Sequence, residues 1–172
     1  TFVAMPASIR DGSVVPGQHA SFLGKKHDPL LILQDPNSPN FKLPELSLPS
    51  AIKQERLQDR RSLLETIDKQ VGLAERIAAA RGIDEYHQRA FSMLSSPKVK
   101  KAFDLTQEPE KSRDAYGRTS FGQGTLLARR LVEIGVRLVT VYYCRPSGAF
   151  IWDTHKNNFP ELKDLLLPTT DQ

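Results

Sequence analysis

Apolar positions change their period between residues 118 and 143, and that change predicts a helix running straight into a strand. Leu127, Leu131 and Ile134 recur at helical spacing, while Arg129, Arg130 and Glu133 face elsewhere. Ser120 can cap the free N–H groups at the start, and Gly135 can take the left-handed conformation that ends the helix. From Val136 to Tyr143 the residues are mostly β-branched or aromatic, broken only by Arg137 and Thr140. This pattern predicts a buried parallel strand over 136–143, covered on both faces. Gly122 and Gly124 fall in the first helical turn, where close approach of another backbone explains them better than an anion site. A nucleotide P-loop is not supported, because its lysine-bearing Gly-rich loop is missing.

Upstream the pattern is more broken. Phe2 to Met5 reads as a short strand and Leu30 to Leu33 as a second short apolar run, with turns at Asp11-Gly12 and Pro16-Gly17. Residues 1–50 form a Pro/Gly-rich ordered excursion anchored by Phe22, Leu23, Phe41, Leu43, Leu46 and Leu48. Residues 51–117 form a helical region: a long helix from about Ala51 to Lys69, a shorter one through Ala80, and one from Asp84 to about Leu94. Ser96-Pro97 then reads as a cap followed by proline at the first helical position, opening a helix through Phe103. Thr106 to Ala115 makes another short helix, closed by Gly117. Residues 118–172 are the α/β segment, and all three stretches belong to one larger domain.

The densest set of potential ligand groups is Trp152-Asp153-Thr154-His155-Lys156-Asn157-Asn158, which follows the predicted strand. In an open parallel sheet, sites form where loops leave the carboxyl ends of strands. Asp153 and His155, two apart in an extended segment, would share a face. They can ligate a divalent metal, or pair so that the acid orients the ring for proton transfer. The alternative is structural: His155 bonds a turn carbonyl and Asp153 caps a loop. Asn158 and Glu161 make a reciprocal capping pattern ahead of Leu162, Leu165 and Leu166. His19 and His27 form no metal signature, and Arg113 and Arg118 read as surface ion-pair residues.

Composition narrows the field. The 172 residues are 39% apolar and 26% charged, those of an ordinary globular chain. Its 24 basic residues are interspersed with 20 acidic ones, so the net charge of +4 gives no single-sign field for nucleic acid. One cysteine, Cys144, excludes an intrachain disulfide and reads as a small hydrophobe rather than a nucleophile. No stretch is long enough to span a membrane, and no Gly-x-Ser-x-Gly elbow identifies a catalytic nucleophile. The chain opens at Thr1 without a basic-then-apolar leader, which leaves a processed or excised piece and a complete gene product as equal alternatives.

A set of short motifs in order along the chain resembles one family. They are Pro16-Gly17-Gln18, Phe22-Leu23-Gly24, Asp28-Pro29, Leu46-Ser47-Leu48-Pro49, Arg89-Ala90-Phe91, Ala102-Phe103-Asp104-Leu105 and Glu108-Pro109. Tyr116-Gly117-Arg118, Phe121-Gly122-Gln123, Leu127 to Glu133 and Trp152-Asp153-Thr154-His155 complete the set. The sequence looks like the bacterial "domain of unknown function 1501" family, often labelled sulfatase-like and similar to the alkaline phosphatase and sulfatase superfamily. The resemblance implies a partial three-layer α/β fold of that type with a helix-rich excursion, and further strands and ligand motifs outside this chain. It also implies an exported or periplasmic protein that hydrolyses sulfate or phosphate esters, on small molecules or glycans, with a divalent metal (zinc, calcium or magnesium). Asp153 and His155 occupy the place of a metal-ligand pair, with the fragment alone inactive. Lys156 stands where the family commonly has glycine, and its charge suits an anionic ester. The alternative is a non-catalytic sulfatase-like scaffold or binding protein.

Overall fold

Four residues near the start, Phe2–Met5, form β1, the middle strand of a three-stranded parallel sheet. The computed structural model describes residues 2–43, 96–144 and 152–171, with the helical positions 56, 59, 62 and 63. The chain is α/β. A small antiparallel hairpin, β2 (Arg10–Asp11) and β3 (Ser13–Val14), turns at Gly12, whose φ of 70° suits a residue without a side chain. β4 (Leu30–Leu31) and β5 (Leu138–Val141) flank β1, pairing Val3 with Leu30 and Phe2 through Met5 with Leu138 through Val141.

The strand expected over 136–143 is therefore parallel but shorter, and the buried position in the sheet belongs to its neighbour. Leu138 is 54% exposed and the rest of β5 is half-buried, whereas Val3, Ala4 and Met5 are buried. The reason is order: β1 has a strand on each edge, while β5 ends the described sheet. Val3 and Met5 lie on one face of the pleat and join Ile32, Leu126, Leu127 and Leu131 in the core. Each leucine so buried contributes about 2 kcal/mol of transfer free energy.

The helices are α1 (Pro97–Phe103), α2 (Glu110–Ala115) and α3 (Ser120–Glu133). α1 starts as its sequence predicts, with Ser96 accepting the Val99 N–H at 3.4 Å and Pro97 in the first turn. α3 is capped one residue earlier than expected: Thr119, not Ser120, accepts the Gly122 N–H at 3.0 Å. Gly135 ends it at φ 97°, and two bonds of 2.9 Å, Val136 N–H to Leu131 O and Gly135 N–H to Val132 O, complete a Schellman motif. Gly122 is a packing glycine, since a Cβ there would lie 1.8 Å from the Tyr116 carbonyl oxygen. A Cβ on Gly124 would stand 3.3 Å from the Val141 side chain, which sets how closely α3 sits over β5.

Arg130 does not face away from the core. It is buried, donating from Nε to Ala102 O at 2.8 Å and from Nη2 to Lys101 O at 2.6 Å, and it pairs with Glu108. Those carbonyls belong to the last turn of α1, where a cation satisfies the helix end. Arg129 reaches the same Glu108 at 2.6 Å and lies 5.5 Å from the Tyr116 ring centroid. Gln123 is also fully buried: it accepts from Arg113 Nε at 2.9 Å and donates to Arg113 O and Gly117 O, each at 2.8 Å. Arg118 pairs with Asp114 at 2.6 Å and with Glu110 at the surface, as expected.

Two anchors of the early segment prove exposed, Phe22 at 93% and Leu23 at 58%, because the short 3-10 turn Ser21–Leu23 presents them outward. Phe41 and Leu43 do pack on the core. Leu46, Leu48 and the helices expected to Ala80 and from Asp84 to Leu94 lie outside the described residues. Within the predicted 51–69 helix, Arg56, Asp59, Ser62 and Leu63 are helical.

Candidate functional site

The loop carrying Asp153 and His155 leaves the carboxyl end of β5, beside the carboxyl end of β1. Tyr142 continues the pairing past both strands, its N–H donating to Met5 O at 2.6 Å. Tyr143 follows, with its ring 4.7 Å from Phe121 in the first turn of α3 and 6.0 Å, edge to face, from Trp152.

Asp153 and His155 meet, but not through strand alternation. His155 takes a left-handed φ of 46°, and the Thr154 carbonyl accepts the N–H groups of Lys156 and of Asn157, the latter at 3.4 Å. This turn brings His155 Nε2 to 3.0 Å from Asp153 Oδ2. Both side chains stand in water, 79% exposed for His155 and 56% for Asp153.

The loop then enters a helical segment: α4 (Asn158–Glu161), a π-helical turn (Leu162–Leu166) and α5 (Leu167–Thr170). Asn157, not Asn158, occupies the cap position and makes no side-chain cap bond; Asn158 Oδ1 instead accepts from Thr154 Oγ1 at 3.3 Å. The short α4 is thereby tied back to the turn that presents the pair. Leu166 is the buried residue of the π turn, while Leu165 is exposed.

Chemically, the arrangement offers one carboxylate, one imidazole and the exposed ammonium of Lys156 beside them. Among the described residues, no group of three His, Cys, Asp or Glu side chains is placed to hold a metal. His19 and His27 are exposed on the early segment, where Asp28 accepts the Ala20 N–H at 2.7 Å. Burial pushes the Cys144 thiol up, which disfavours the thiolate a nucleophile needs. No helix among the described residues is long and apolar enough to cross a membrane.

Sequence reasoning missed the polar groups that the fold buries. Glu108 draws both Arg129 and Arg130, and its carboxyl is held below the usual range first by the Arg129 hydrogen bond, against the opposing effect of burial. The available signal was an adjacent arginine pair on the otherwise apolar side of α3. No curated protein and no solved structure matches the chain. The family described as "Protein of unknown function (DUF1501)" matches residues 1–172, and the chain belongs to it.

Proposed function

We propose that the chain supplies an Asp/His metal-ligand loop to a sulfatase-like, metal-dependent hydrolase of sulfate or phosphate esters. The observation that carries the reading is the 3.0 Å approach of Asp153 Oδ2 and His155 Nε2 in the segment that follows the parallel strand β5. Two donors sharing a tetrahedral zinc stand roughly 3.3 Å apart for ordinary zinc–ligand distances, so a small adjustment of the pair admits the ion. A carboxylate with an imidazole suits zinc or a related transition ion better than calcium or magnesium, which favour all-oxygen shells. At least one more protein ligand is needed and would come from outside the described residues.

The ion, when bound, supplies Lewis acidity toward the ester and makes a nucleophile available at neutral pH. Lys156 offers a positive charge to the anionic sulfuryl or phosphoryl group, on a small molecule or a glycan.

The test compares zinc affinity and hydrolysis of p-nitrophenyl sulfate and phosphate for the native protein, Asp153→Ala and His155→Ala. Both variants should lose binding and turnover. A 10–100-fold weakening in Asp153→Ala alone would make the acid an orienting partner rather than a ligand. Native zinc affinity in both variants would remove the assignment. A second reading, a non-catalytic sulfatase-like scaffold, is favoured by the exposure of both side chains, since strong electrostatic catalysis needs a water-excluded site. It predicts no ester hydrolysis by metal-loaded protein.

A further inference from the structure

Three rings run from the tightly packed start of α3 to the exposed loop. Phe121 sits in the turn fixed by the Thr119 cap, the Gly122 contact and buried Gln123. Its ring lies 4.7 Å from Tyr143 at 36°, and Tyr143 lies 6.0 Å from Trp152 at 78°, both favourable aromatic geometries. Trp152 immediately precedes Asp153. The Tyr143 hydroxyl is buried and finds no hydrogen-bond partner among the described residues. Its ring, rather than its polar tip, therefore accounts for its place in the stack.

We infer that Tyr143 is a positioning residue for the Asp153–His155 pair: its ring, braced by Phe121, seats Trp152 and so fixes the pair in the segment that follows β5. The functional consequence rests on the metal-ligand reading above, whereas the structural part does not. Trp152 is the chain's one tryptophan, so its emission reports this contact without interference.

The experiment measures tryptophan emission, iodide quenching and zinc affinity in the native protein, Tyr143→Leu and Tyr143→Phe. Leucine keeps apolar bulk without the ring faces. Tyr143→Leu should shift emission to longer wavelength, raise quenching and weaken zinc about tenfold, the scale at which groups supporting a ligand act. Tyr143→Phe should restore all three. Phe121→Leu, which acts one ring further away, gives the same direction and stands in if Tyr143→Leu does not fold. Unchanged emission and quenching in both leucine variants would overturn the inference, as would a phenylalanine variant as impaired as leucine. If Asp153→Ala and His155→Ala leave zinc affinity unaltered, the metal reading fails while the emission result still decides the role of Tyr143.

Discussion

The α3 region and the loop after β5 both carry acids and bases beside aromatic rings, yet they hold their charges in opposite ways. Arg130 is buried and its donors are spent on Ala102 O, Lys101 O and Glu108. Asp153 and His155 approach each other to 3.0 Å and otherwise face water. A charge taken from water must be matched by several fixed partners, so it locks elements together and has little capacity for a ligand. A solvated pair can exchange partners at low cost. Arginines within the fold thus read as structure, and the modest exposed pair is the better candidate for chemistry.

That contrast can be broken most sharply at Arg130. Arg130→Met leaves Glu108 and two carbonyls short of a partner and should cost about 3–4 kcal/mol in urea unfolding; a loss below 1 kcal/mol would place Arg130 with the surface charges. Gly122→Ala comes next. Its added Cβ meets the Tyr116 backbone, so α3 or the preceding turn must shift, for about 2–3 kcal/mol in the same measurement.

Acid should expose the same difference. The Glu108 carboxyl titrates lower in the folded chain than in the unfolded one, first through its Arg129 bond and then through Arg130, with burial opposing. Its contribution is therefore complete above the unfolded carboxylate pKa and disappears as pH falls through the folded value. Asp104, lowered chiefly by its Thr106 hydroxyl bond, acts in the same direction. The melting temperature should fall on acidification below the ordinary glutamate range, and Glu108→Gln should be less stable near neutrality with a flatter acid limb. The smallest effect belongs to the loop: Asp153→Ala and His155→Ala should each change stability by less than about 0.5 kcal/mol. A larger loss would mean that the pair supports the fold.

Local signals in the chain were sufficient for several elements. The Ser96-Pro97 start of α1, the Gly135 end of α3, the turn at Gly12 and the packing role of Gly122 follow from backbone chemistry within a few residues. Phe2–Met5 was legible as a strand, whereas Leu30–Leu31 stood out only as a short apolar run. The strand order was not legible. Val136 to Tyr143 looks more like a central strand than Phe2–Met5 does, yet β1 holds the middle because β4 and β5 pair on either side of it. Phe22 misled for a related reason: hydrophobicity alone cannot tell an anchor from a residue that a turn points outward.

The candidate site divides along the same line. The sequence by itself determined that an acid and an imidazole follow a strand two residues apart, and it carried the motifs of the family to which the chain belongs. Only the tertiary structure decided that the left-handed turn at His155 brings them together, that Trp152 meets Tyr143, and that Arg130 is committed to α1 and Glu108. The physical reason is range. Caps, turns and periodicity are settled by neighbours in the chain, whereas burial and the pairing of charges depend on groups dozens of residues away.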